Sequence, residues 1–176
     1  MGKDTEKDGS TNSFNDECWT VTLNKFEMNM IERLTIDKTG LDNPCQPQCR
    51  LAEYYHNVRD LFAAKLAFCK LFKVYPYFVD EQYSGHDVTI SLRYKWGVER
   101  KTVDVKQTPY SDGKLIADIG GKVCDLYALM VGQFPRFAYR GWSLGEMLFR
   151  PENVETIGGK LVYAVDQDTL TMTFPF

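Results

Sequence analysis

The stretch of residues 50–72 constrains the fold more than any other, because it carries the longest helical pattern in the sequence. Beyond Asp60 apolar residues surround the helix axis, which is typical of a helix buried in a core or pressed against a partner. Pro76 predicts that this helix ends soon after Phe72. We therefore expect a central helix that packs on a sheet. The apolar residues that share one face by helical spacing are Leu51, Tyr55, Val58, Phe62, Cys69 and Phe72.

Size, charge and cysteine content narrow the class of protein. The 176 residues suffice for one domain with its own core, and we expect it to span residues 18–176. Residues 1–17 are polar and predict a disordered tail. The net charge of −3 gives no general argument for binding nucleic acid or membrane. Five cysteines, an odd number, without an apolar signal segment favour free thiols in a reducing, cytoplasmic compartment.

Alternating apolar residues predict most of the sheet. The clearest pattern is a hairpin of residues 87–95 and 98–107, which turns at Trp96 and Gly97. Its expected inner face carries Val88, Ile90, Leu92, Val103 and Val105. Further strands are predicted at 18–23, at 26–36, at 74–79 and at 115–119, with a second hairpin of residues 161–165 and 169–174. Within 26–36, the spacing of Met30, Ile31 and Leu34 would also suit a helix, but the alternation favours a strand.

Two shorter helices complete the predicted fold. Residues 122–133 place Val123, Leu126, Tyr127 and Met130 on one helical face. Ser143 and Glu146 have the spacing of a capping box, which predicts a single-turn helix that Pro151 ends. The fold class is therefore α+β, a mostly antiparallel sheet with one long central helix packed across it and a second, shorter helix.

Residues with metal-ligand chemistry occur, but their spacing argues against a metal centre. Cys45, Cys49 and His56 lack the second ligand pair of a structural zinc site. Glu53 and His56 form a Glu-x-x-His pair that lacks the partner helices of a di-iron bundle.

An acidic and lysine pattern, Asp87 followed by Glu99 and Lys101, is typical of metal-dependent nucleases. A turn at Trp96 and Gly97 places Asp87 opposite Lys106, far along the strands from Glu99. We therefore assign no catalytic residue, no metal and no cofactor.

The hairpin of residues 88–106, called the basic hairpin below, is a candidate binding surface. It carries five basic and two acidic side chains, a net charge of +3. Basic groups beside aromatic rings can follow a phosphate backbone and stack on bases. An ordinary solvated outer face explains the same pattern. The residues that would bind nucleic acid are Arg93, Lys95, Trp96, Arg100 and Lys101.

Residues 134–142, called the aromatic segment below, form the second candidate surface. Four large aromatic residues and two arginines fall within it, and such residues dominate protein interfaces. As a connection between two helices it should leave one or two rings outside, with Tyr139 and Trp142 expected to be exposed. The alternative is a loop whose rings plug the edge of the core. The predicted partner-binding residues are Phe134, Arg136, Phe137, Tyr139, Arg140 and Trp142.

These features favour a non-enzymatic intracellular protein that binds a protein partner, as an inhibitor, an adaptor or an assembly subunit. One alternative is a nucleic-acid-binding protein that uses the basic hairpin. The other is a small metal-dependent hydrolase or nuclease. The pattern predicts no membrane binding and leaves the oligomeric state open.

Overall fold

The computed structural model describes residues 19–41, 50–76, 86–121 and 123–173. The predicted tail of residues 1–17 lies outside the described residues. The described helices are α1 (Lys25–Thr39), α2 (Arg50–Phe72) and α3 (Gly145–Leu148). The described strands are β1 (Thr20–Thr22), β2 (Val88–Tyr94), β3 (Gly97–Thr108), β4 (Leu115–Asp118), β5 (Leu126–Gln133), β6 (Arg136–Leu144), β7 (Val154–Ile157) and β8 (Lys160–Val165).

The strands form two sheets. The larger sheet has the strand order β1-β6-β5-β3-β2. Every pair of adjacent strands in it is antiparallel except β3 with β5, which are parallel. The smaller sheet has the order β4-β8-β7 and is antiparallel throughout. The α+β class and the mostly antiparallel sheet are therefore confirmed.

The long helix α2 packs on one face of the larger sheet, as its apolar half predicts. Phe62, Phe68 and Cys69 are buried in one core with the inner faces of the strands. The predicted inner face of the basic hairpin is confirmed, because Val88, Ile90, Leu92, Val103 and Val105 are all buried. Leu51, at the first turn of α2, is exposed although the helical pattern placed it on the inner face.

Strand β5 replaces the predicted helix at residues 122–133, so that prediction is wrong. Both faces of β5 are buried, one against α2 and the other against a second core. The second core contains Tyr127, Leu129 and Val131 of β5 with residues of β4, β8 and α3. A strand buried on both faces shows no alternation of polar and apolar residues, so its pattern resembles that of a helix.

Helix α1 replaces the strand predicted at residues 26–36. The side chain of Asn24 accepts a hydrogen bond from the backbone of Glu27, whose side chain accepts one from the backbone of Asn24. This capping box sets the start of the helix, and Gly40 in the left-handed region ends it. The alternation of Phe26, Met28 and Met30 suits a strand, but the capping box of Asn24 and Glu27 favours the helix.

The C-terminal hairpin predicted at residues 161–165 and 169–174 is also wrong. Strand β8 pairs with β7 and β4 instead, and Thr171 makes only an isolated bridge to Trp142. The single-turn helix near Ser143 is present as α3, but no side chain caps it. The strand at 115–119 is confirmed as β4, and β1 confirms the one at 18–23. Residues 74–76 form no strand, and 77–79 lie outside the described residues.

Candidate interaction surface

The aromatic segment is not a loop between helices, because most of it forms strand β6 in the interior of the larger sheet. Phe137 and Tyr139 are fully buried, so the expectation that Tyr139 stays outside is wrong. The Tyr139 ring stacks edge-on against Phe72, with ring centroids 5.0 Å apart. Burial raises the pKa of Tyr139. Phe137 and Tyr139 therefore belong to the core between the sheet and α2, and they offer no surface to a partner.

The other members of the segment differ in exposure. Trp142 is half-buried, and its Nε1–H donates to the carbonyl oxygen of Thr173 at 2.8 Å. The Arg59 guanidinium lies 4.6 Å from the centre of the half-buried Phe134 ring, which joins the β5–β6 turn to α2. Arg140 is half-buried, and Arg136 at the start of β6 is exposed. Of the six predicted residues, Arg136 therefore remains open to solvent.

The basic hairpin presents a more exposed surface. Strand β3 pairs with β2 from Gly97 onward but pairs with β5 only from Val103 onward, so the hairpin projects beyond the rest of the sheet. At its tip Trp96 is 84% exposed and Val98 is 63% exposed. Lys95 and Arg100 beside them are also exposed. The hairpin thus carries apolar side chains and cations together in solvent.

Ion pairs within the hairpin reduce its positive charge. The Lys101 ammonium lies 2.7 Å from a Glu99 carboxylate oxygen, and the Lys106 ammonium lies 2.9 Å from Asp104. Lys95 and Arg100 make no ion pair with any residue that the structure describes. The side chain of Arg93 lies outside the described part. The charge available to a phosphate backbone is therefore smaller than the count of basic residues indicates.

A buried ion pair lies at the base of the hairpin and was not predicted. The Lys65 ammonium of α2 lies 2.7 Å from Oδ1 of Asp87, and both side chains are more than nine-tenths buried. The backbone amide of Val105 donates to Oδ2 of Asp87, also at 2.7 Å. Burial raises the pKa of Asp87 to about 6, although the Lys65 charge opposes this. The pair fastens α2 to β2 and β3.

The surroundings of this pair do not favour nucleophilic chemistry. Cys69 lies on the same helix, and burial, with the Asp87 charge nearby, raises the pKa of its thiol to about 12. Burial likewise raises the pKa of the Cys124 thiol to about 11. A thiol with such a pKa is protonated near neutral pH and is a poor nucleophile.

A cavity of about 250 Å³ lies beside the ion pair. Besides Lys65 and Asp87, it is lined by His86, Asp104 and Lys106.

The metal-binding patterns of the sequence are not brought together in the described structure. The register pairs Val88 with Val103 and Leu92 with Glu99. It differs by two residues from the predicted register, which aligned Asp87 with Lys106. Asp87 and Glu99 are then about 16 Å apart along the strands at ~3.3 Å per residue. Cys45 and Cys49 lie outside the described residues. Within the described ranges, no three His, Cys, Asp or Glu side chains could hold a metal ion.

Comparison with known protein families, with curated proteins and with solved structures finds no significant match to this chain. No helix in the described ranges is both long and apolar enough to span a membrane. The two cysteines that the structure describes, Cys69 and Cys124, are buried free thiols.

Proposed function

We propose that this protein is a non-enzymatic binding protein that acts through a protein partner, as an inhibitor, an adaptor or an assembly subunit. The observation that carries the proposal is the tip of the basic hairpin, where the exposed Trp96 and Val98 stand beside Arg100. Trp, Tyr and Arg are enriched among the interface residues whose truncation weakens binding most. The buried free thiols of Cys69 and Cys124 support a reducing, cytoplasmic location for this activity.

The basic hairpin supports this proposal better than the aromatic segment does. In the aromatic segment Phe137 and Tyr139 are core residues. Arg136 is exposed at the β5–β6 turn and could only add a peripheral contact. The projecting hairpin can instead enter a concave surface. Near the tip, β3 pairs with β2 and with no other strand that the structure describes.

Affinity purification with matched variants tests the proposal. Bait chains carrying Trp96→Ala should lose the captured partner, since the substitution removes the exposed ring. Phe26→Ala is the control, because Phe26 is 78% exposed at the start of α1, outside the hairpin. A partner that is captured equally by wild type, Phe26→Ala and Trp96→Ala would refute the hairpin as the contact surface.

Nucleic-acid binding through the same hairpin is the weaker alternative, because Lys101 and Lys106 already hold carboxylates. Proteins that bind phosphates through Lys and Arg lose affinity steeply as salt increases. A titration with single- and double-stranded oligonucleotides over a range of salt concentrations separates the two functions. The metal-dependent hydrolase or nuclease draws no support from the arrangement of the described acidic residues.

A further inference from the structure

The edge of β3 that faces away from β2 is open over residues 97–101. Pairing with β5 begins at Val103, and no described strand lies beside the preceding residues. Asp125, just before β5, marks the boundary, because its Oδ2 accepts hydrogen bonds from the backbone amide and the hydroxyl of Thr102. These bonds, with the nearby Lys101 charge, hold the pKa of Asp125 below its usual range.

The backbone groups of Val98 and Arg100 point to this open edge. Successive residues of a strand direct their amide and carbonyl groups to opposite sides. The amide of Thr102 points away from β2, to Asp125, so the amides of Val98 and Arg100 point the same way. Two amides and two carbonyls are thus available to an added strand. The amides of Glu99 and Lys101 alternate with them and face β2.

The surroundings of the edge are suited to a peptide. A cavity of about 350 Å³ adjoins its inner end, lined by Lys101 and Thr102 together with Val123, Asp125 and Leu144. Val123 is 72% exposed beside it. An extended chain that follows the edge toward the cavity would cover this apolar side chain.

We propose that an extended segment of the protein partner adds to β3 as a strand, bonded to the backbone of Val98 and Arg100. The inference rests on the proposed function and specifies its binding mode, which is strand addition to an exposed sheet edge. Val98 and Arg100 lie on the same face of β3, two residues apart. The partner segment therefore carries an apolar residue beside Val98 and, two positions along, an acidic residue that pairs with Arg100.

Random peptides displayed on phage are the probe for this proposal. Selection on the intact chain should enrich peptides in which an acidic residue and a β-branched residue are two positions apart. Changing the acidic residue of an enriched peptide to lysine should weaken its binding by about tenfold or more. If selection enriches no such pattern, the proposed chemistry of the segment is wrong.

Amide hydrogen exchange of the chain, with and without an enriched peptide, tests the geometry directly. The amides of Val98 and Arg100 should exchange at least about tenfold more slowly when the peptide is bound, because they become hydrogen-bonded. The amides of Glu99 and Lys101 are the internal control, since their bonds to β2 exist already. A bound peptide that leaves the Val98 and Arg100 amides unprotected overturns the proposal.

Variants provide a second measurement. Val98→Pro removes an edge amide without removing a β2 ladder bond, so the fold should persist while peptide affinity falls by about tenfold or more. Val98→Ala keeps that amide and should bind more tightly than Val98→Pro. Sedimentation should show that the chain does not dimerise through this edge, since pairing of two copies would overturn the proposal.

The two proposals fail in different ways. If Trp96→Ala loses the partner but peptides do not protect the Val98 and Arg100 amides, the tip binds and strand addition is wrong. If peptides protect these amides while Trp96→Ala still retains the partner, the edge binds peptide but the tip is not the partner's contact surface.

Discussion

The buried ion pair of Lys65 and Asp87 should contribute to stability in a way that depends on pH, because its loss costs most when the Asp87 carboxyl is ionised. Lys65→Met removes the cation and leaves the Asp87 carboxylate buried without its ion-pair partner. The backbone amide of Val105 then remains as a hydrogen-bond donor to Asp87. Removal of one member of a buried ion pair costs about 3–5 kcal/mol of unfolding free energy. We expect that cost at pH 8. The more accessible pair of the exposed Lys70 and the half-buried Glu27 is the control, and Lys70→Met should cost less than about 1 kcal/mol.

The sign of the pH dependence follows from the raised pKa of Asp87. Its folded pKa of about 6 exceeds the ordinary value of 3.8, so the folded state binds the proton more tightly than the unfolded state. The stabilising contribution of the protonated carboxyl is complete below the ordinary value and is lost as pH rises through the folded value. Loss of Lys65 raises the folded pKa further. The cost of Lys65→Met should therefore shrink from pH 8 to pH 5, by about 1.4 kcal/mol for each pH unit between the folded pKa of the variant and the lower folded pKa of the wild type, and should stay constant below the latter.

Urea unfolding followed by circular dichroism at pH 8 and pH 5 measures these free energies. The double variant Lys65→Met with Asp87→Asn should recover most of the loss at pH 8, because no buried charge is left unpaired. Three results would refute the reasoning: no cost of Lys65→Met at pH 8, a cost that is unchanged at pH 5, or a double variant no more stable than Lys65→Met.

Three further predictions concern the core, the thiols and the hairpin charges. Phe62→Ala should cost ~3–5 kcal/mol in a denaturant titration because Phe62 is buried between α2 and the sheet; a near-neutral result would contradict the packing. Titration of the denatured, unreduced protein should return all five cysteines as thiols, whereas three or fewer would disprove the reduced state. Arg93→Glu with Arg100→Glu should change oligonucleotide binding little at physiological salt, and abolition of tight, salt-sensitive binding would favour the nucleic-acid function.

The sequence predicts those elements whose pattern depends on one core. The basic hairpin buries one face, and the half of α2 beyond Asp60 is apolar and buried on several sides, so both patterns predict the elements and most of their buried residues. Strand β5 is sandwiched between two cores, and only the position of the second sheet shows that both its faces are buried. Its pattern alone could not distinguish a strand from a helix. The prediction for the aromatic segment is wrong as a consequence, because a helix at residues 122–133 makes the segment a connection between helices, whereas β6 alternates between buried and half-buried residues beside β5.

The candidate surface was predicted in part. The exposed tip follows from a turn at Trp96, because a residue at the end of a projecting hairpin faces solvent. The ion pairs of Lys101 and Lys106 depend on the positions of their side chains, which cannot be predicted from a count of charged residues. Lys65 was a usable signal, because a lysine in the apolar half of a helix needs a buried carboxylate. Its partner Asp87 is distant in sequence and could be assigned only from the structure.

The affinity of the isolated partner for three chains, measured by calorimetry beside a melting curve of each, tests the central claim most directly. The account predicts that Trp96→Ala weakens binding by about 2 kcal/mol or more, while Phe26→Ala binds like the wild type and all three chains melt alike. A Trp96→Ala chain that is folded and binds with wild-type affinity would contradict the assignment of the hairpin as the contact surface.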